Sequence, residues 1–188
     1  MKKVIAITGP IGAGKSEVAT IVLRYFGEQS MLLPLAYPIK EIARSIGWNG
    51  EKDNKGRRLL QAIGTAGRDY RQDIWLKIWS HLAMSQHTPE YLIVDDLRYE
   101  NELRYFREGV DNLILYVYNS QAERKRSKHK SEQLTLDKVS GKGVVTIRNM
   151  GSLTQLSLAV TDLLTERYPK KIEEKEAEDV QATANDGN

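Results

Sequence analysis

Apolar positions along this chain switch repeatedly between a strand-like run and helical spacing. "KVIAIT", residues 3–8, reads as a buried strand, and "KSEVATIVLRYF", residues 15–26, carries its apolar residues at helical intervals. "SMLLPLA", residues 30–36, predicts a second short strand weakened by Pro34, followed by a helix in "PIKEIARSIG", residues 38–47. After the polar stretch "WNGEKDNKG" come two helices, "RRLLQAIGTAGRDYR" and "QDIWLKIWSHLAMSQ", over residues 57–71 and 72–86. The remainder predicts the strand "YLIVDD", the helix "ENELRYFREG", the strand "NLILYVY", a basic polar stretch, the short strand "VVTIRN" and the helix "SLTQLSLAVTDLLTERY". Strands interleaved with helices imply an α/β fold of three layers, a parallel sheet of about five strands with helices on both faces. The final residues, 169–188, are charged and poor in large apolar side chains, which predicts a disordered tail.

Composition narrows this picture. A chain of 188 residues with 40% hydrophobic content builds one core, so residues 1–168 are expected to form one domain. Cysteine is absent, which excludes disulfides and thiolate metal sites and is compatible with a cytoplasmic location. No apolar run approaches the roughly 18 residues of a membrane span, so no membrane partner is expected. A net charge of +3 suits anionic small molecules and nucleic acid equally.

Between the first strand and the first helix lies "GPIGAGKS". Gly9, Gly12, Gly14, Lys15 and Ser16 fit G-x-x-x-x-G-K-[ST] in the strand–loop–helix setting that this motif requires. Glycines allow successive amides to point at phosphate oxygens, and the helix start adds its positive dipole end. In that motif Lys15 reaches the β/γ-phosphates and Ser16 ligates Mg²⁺. A second candidate is "YLIVDDLRYENE", an apolar strand ending in acids at the edge where ligands of such sheets bind. Asp95 and Asp96 project to opposite faces, so one of them is the candidate for Mg²⁺, with a capping or turn role as the alternative. Arg98 suits bidentate phosphate binding, or a surface ion pair. A third is the stretch holding Arg124, Lys125, Arg126, Lys128, His129 and Lys130: a solvated face, a mobile lid over the donor phosphates, or a nucleic-acid patch, the last disfavoured by the lack of interleaved aromatics.

The order and spacing of "GPIGAGKS", "LAYPIKEIA", "LLQAIGTAGRDYRQDIWLKIW", "IVDDLRYENE", "HKSE" and "IRNMGSL" resemble those of the bacteriophage deoxynucleoside monophosphate kinases, relatives of the cellular nucleoside monophosphate kinases. The resemblance covers about residues 3–168. Its specific features are L-L-Q-x-x-G-T, a Trp ten residues beyond that Thr, D-x-R-x-x-x-E at Asp96, Arg98 and Glu102, and H-x-S-E. It implies a P-loop kinase fold with an acceptor-binding segment at about residues 37–88 and a lid at about 119–138. It implies ATP and Mg²⁺, cytoplasmic transfer of the γ-phosphoryl group to a (deoxy)nucleoside monophosphate in DNA precursor synthesis, and no stable nucleic-acid partner; a homodimer is compatible with it.

Residue by residue, it assigns the donor site to Gly9, Ile11, Gly12, Ala13, Gly14, Lys15, Ser16, Glu17 and Arg124, with Asn149 and Gly151 beneath the adenine. Lys40, Gln61, Thr65, Arg68, Trp75, Asp95, Asp96, Arg98, Glu102, His129 and Glu132 fall to the acceptor. Lys15, Arg98, Arg124 and Arg126 would neutralise the transferring group, and Ser16 with Asp95 or Asp96 would hold the metal. Asp95 stands where relatives often carry a small residue, which leaves both acids as candidates. Another P-loop small-molecule kinase, acting on phosphomevalonate or dephospho-coenzyme A, is the nearer alternative. A nucleotide-driven switch or motor is the more distant one; the N-K-x-D base-reading motif of GTPases is absent from the chain.

Overall fold

The computed structural model describes residues 2–125 and 134–169. Arg126, His129 and Glu132, part of the expected lid, and all of the expected tail after Pro169 lie outside the described residues.

The first two elements fall where the apolar pattern put them, β1 at Lys3–Thr8 and α1 at Lys15–Phe26. β2 is Ser30–Leu32, shorter than the predicted run. Its ladder reaches Leu33, whose amide donates to the Ile93 carbonyl; Pro34 has no N–H, and the next two amides, of Leu35 and Ala36, donate to Asp96 instead. Three helices follow: α2 (Tyr37–Ser45), α3 (Asn54–Tyr70) and α4 (Ile74–Ser85). Then come β3 (Tyr91–Val94), α5 (Glu100–Glu108) and β4 (Leu113–Tyr118). Two short helices, α6 (Ser120–Arg124) and α7 (Leu136–Val139), flank the undescribed stretch, and β5 (Val144–Arg148) and α8 (Leu153–Arg167) complete the order.

The described residues form a five-stranded parallel sheet in the order β2-β3-β1-β4-β5, the three-layer α/β arrangement expected from the sequence. Strand alternation splits the core in two. Ile5, Ile7, Ile93, Leu115 and Val117 pack against Val18, Val22 and Phe26 of α1 and Val160 and Leu164 of α8. Val4, Ala6, Leu92, Val94 and Ile114 face Trp79 of α4 and Leu103 and Phe106 of α5. Because all strands are parallel, the loops after β1, β3 and β4 emerge on the same edge of the sheet. A cavity of about 520 Å³ lies at the other edge, lined by Val4, Trp79, Leu92 and Tyr105 and by none of the candidate site residues. Among the described residues no helix is long and apolar enough to cross a membrane.

Candidate active site

The loop after β1 is shaped by its glycines. Gly9, Gly12 and Gly14 have φ of 139°, 80° and 97°, values that L side chains rarely adopt. At Gly9 space forbids a side chain as well, since a Cβ would sit 2.4 Å from the Val117 carbonyl oxygen; one on Gly14 would sit 2.3 Å from Asn149 Nδ2 and displace it. Gly14 also caps α1 without any side-chain hydrogen bond, which leaves the helix's first amides to a ligand. Lys15 Nζ lies back over the loop, donating to the carbonyls of Gly9 and Pro10 at 2.8 Å each. Ala13 is fully buried, Ile11 is exposed, and Ser16 and Glu17 occupy the first turn of α1.

Asn149, just past β5, holds this loop from the side. Its Nδ2 donates to the Ala13 carbonyl at 2.9 Å, and its own carbonyl accepts from Asn119 Nδ2 at 2.7 Å. Asn119 also caps α6 by accepting from the amides of Gln121 and Ala122. Sequence reasoning missed Asn119, although an Asn before "SQAER" at a strand exit is a readable cap signal. Arg124 ends α6 and is exposed; Gly151 follows β5, packed under Gln155.

The two acids after β3 divide as strand alternation requires. Asp96 spends both carboxylate oxygens on the main chain, accepting from Leu35 N at 2.7 Å and Ala36 N at 2.9 Å, and so fixes the entry to α2. Asp95 directly follows the end of β3 and is half-buried. Burial, then the Asp96 charge, push its carboxyl above the usual range, against the attraction of Lys40 and Lys52. Among the described residues no group of three His, Asp or Glu converges on a metal site. The oxygen chemistry of Ser16 and Asp95 nevertheless suits Mg²⁺, which keeps waters and shares substrate phosphates.

On the helical side, Arg68 of α3 reaches the β3–α5 loop. Its Nη2 lies 3.5 Å from Glu102 Oε1, its Nη1 donates to the Gly64 carbonyl at 3.1 Å, and its guanidinium lies over the Tyr99 ring, 4.0 Å from the centroid. Tyr99 carried no prediction. Arg98 is exposed beside it. Gln61 and Thr65 are exposed one turn apart on α3, and Lys40 is half-buried on α2. Two residues expected at the substrate have packing positions. Trp75 is buried, donating from Nε1 to the Gly64 carbonyl at 2.9 Å with its ring against Gly67, where a Cβ would come within 2.3 Å. Glu102 is also buried, with both oxygens engaged by protein.

A glycine loop with its lysine and an arginine cluster, both at the same edge of a parallel sheet, are the features of a P-loop small-molecule kinase. The chain belongs to the deoxynucleotide monophosphate kinase family, whose model matches residues 42–160. It is 26% identical over 133 residues to a phosphomevalonate kinase of Drosophila melanogaster, covering 65% of this chain and 70% of that protein. Solved structures similar to it include a gluconokinase from Sinorhizobium meliloti 1021 (17% identity, 87% of this chain and 94% of that one, TM-score 0.45). A sugar kinase from a Janibacter species is another (14% identity, 90% and 97%, TM-score 0.44).

Proposed function

We propose that this chain transfers the γ-phosphoryl group of ATP to a (deoxy)nucleoside 5′-monophosphate, giving ADP and the (d)NDP, a step in making DNA precursors. The observation that carries this reading is the Arg68–Tyr99–Glu102 cluster beside Arg98. It lies within the family match at residues 42–160, whereas the donor loop shared by many kinases lies outside that match. A chain that only hydrolysed nucleotide would have no use for a second anion site there.

In this reading a phosphate oxygen of the acceptor attacks the γ-phosphorus and the bond to the β–γ bridging oxygen breaks, leaving ADP. No general base is needed, because the attacking phosphate is already an anion. The chain's task is to align two anions and offset their charge. Amides of the loop from Gly9 to Ser16 cradle the donor, and Lys15 turns from the Gly9 and Pro10 carbonyls to the β/γ-phosphates. Arg68 and Arg98 hold the acceptor phosphate; Lys40, Gln61 and Thr65 line its side. Arg124 and Arg126 would neutralise the transferring group. Asn149 and Gly151 lie beneath the adenine. Ser16 and Asp95 would hold Mg²⁺, which supplies charge neutralisation at the phosphates.

The phosphomevalonate kinase likeness favours one second reading, an acceptor that ends in phosphate without a nucleoside. A coupled ADP-release assay separates them, run with each dNMP, each NMP, phosphomevalonate, dephospho-coenzyme A and no acceptor. A dNMP should give the fastest release. Fastest release with phosphomevalonate would replace the reading, and acceptor-independent release would make the chain a hydrolytic switch.

A further inference from the structure

Glu102 is an acid at the third position of α5, 4% exposed. A buried carboxylate is tolerated only when its oxygens find donors. Oε2 accepts from the amides of Arg98 at 2.9 Å and Tyr99 at 3.0 Å, while Oε1 faces Arg68 Nη2 at 3.5 Å. Reaching back to amides before the helix is ordinary capping by a Glu at this position, and a neutral glutamine would serve it. Capping gives no reason to bury a charge. Burial is in fact costly here, pushing the carboxyl up to about 7 despite both amides and Arg68.

Arg68 is therefore the partner to explain. Its guanidinium is pinned between its own helix at the Gly64 carbonyl, the Glu102 oxygen and the Tyr99 ring. Among the described residues these contacts use two kinds of its N–H donors, on Nη1 and Nη2, out of the five that a guanidinium carries. The remaining donors are available to an oxyanion. One carboxylate thus joins α3 to the β3–α5 loop, and the cation it holds stacks on the residue whose amide it fixes.

We propose that Glu102 is a positioning residue of the acceptor site, locking the Arg68 guanidinium to the Arg98–Tyr99 backbone so that both arginines meet the acceptor phosphate as a preset pair. This rests on the reading of Arg68 and Arg98 as acceptor-phosphate ligands. Without the lock, Arg68 must be ordered at each binding event, a cost that falls on acceptor binding and not on ATP.

The test is steady-state kinetics with Mg·ATP and the common dNMPs on wild type, Glu102→Gln, Arg68→Ala and the double variant, with thermal melting as the folding control. Glu102→Gln keeps an oxygen for the two amides and removes the charge. Its acceptor KM should rise about tenfold, with ATP KM and kcat within about threefold, and in the Arg68→Ala background it should add less than about twofold. The ratio of its acceptor KM to that of wild type should shrink toward one between about pH 8 and about pH 5.5, as wild-type Glu102, facing Arg68 and the Asp96 charge, takes up its proton. Titration of the acceptor itself cancels in that ratio. An acceptor KM within about twofold of wild type, or an equal effect with and without Arg68, would leave Glu102 as a helix cap and overturn the proposal. If Arg68→Ala leaves acceptor KM unchanged, the acceptor-site reading fails first and this proposal with it. Should Glu102→Gln not fold, wild type and Arg68→Ala suffice: the ratio of their acceptor KM values should narrow toward acid pH, and a pH-independent ratio overturns the proposal.

Discussion

In the proposed reading, the donor and acceptor sides of this kinase would bind phosphate with different materials. On the donor side the work falls to backbone: left-handed glycines at 9, 12 and 14, a helix start without a side-chain cap, and one lysine resting on loop carbonyls. On the acceptor side it falls to side chains gathered from α3 and the β3–α5 loop, with a buried carboxylate between them. The contrast teaches where each side is vulnerable. A backbone cradle fails when a Cβ intrudes, and transfer there depends on its one lysine. A side-chain cluster tolerates local backbone change and fails when one charge is removed.

The largest expected effect is on the lysine of the donor loop. Lys15→Ala should reduce transfer by about a thousandfold or more while the melting temperature stays close to wild type, since the charge acts on the transferring group. Turnover within a few fold of wild type would show that the loop is not the donor site. Next, Arg68→Ala and Arg98→Ala should each cost about a hundredfold in kcat/KM for a dNMP, the loss of one charge-assisted contact. Binding of ATP, read by titration calorimetry, should be unchanged in both. Loss of ATP affinity in those variants would erase the division between the two sides.

Gly14→Ala sharpens the comparison, because it adds one carbon and changes no charge. It places a Cβ at a φ of 97° and against Asn149 Nδ2, so ATP affinity should fall by about 2 kcal/mol, roughly thirtyfold, with acceptor KM little altered. The last effect is on stability. The Glu102 carboxyl is raised to about 7 in the folded chain from 4.5, so folding takes up a proton. Its contribution is fully present below the unfolded value and is lost as pH rises through the folded one. Glu102→Gln has no such loss, so its melting temperature relative to wild type should climb between about pH 5 and about pH 8. A pH-independent difference would mean that Glu102 is not desolvated as described.

The same contrast explains what could be read from the sequence. The donor loop is contiguous and its conformation depends on glycine spacing, so Gly9 to Ser16 were legible in eight letters. Strands and long helices were legible because each buries a face of fixed period. The ends of "SMLLPLA" were not, because Asp96, far along the chain, takes the amides of Leu35 and Ala36. α6 and α7 were hidden in a stretch whose charge masks any period; α7 is tied by Arg107, which donates to the carbonyls of Lys138 and Ser140. Arg68 and Glu102 read as substrate contacts by resemblance alone, and Arg98 also by its place after the acidic strand. That Glu102 turns inward to join the other two, and that Tyr99 lies under Arg68, depends on contacts spanning 34 and about as many residues, which no local pattern encodes.

The most direct measurement follows the γ-phosphate itself. With γ-labelled ATP, Mg²⁺ and an equimolar mixture of the common dNMPs and phosphomevalonate, the label should appear in a deoxynucleoside diphosphate and stay out of inorganic phosphate. Label in inorganic phosphate, or in diphosphomevalonate ahead of any nucleotide, would contradict a nucleoside monophosphate kinase.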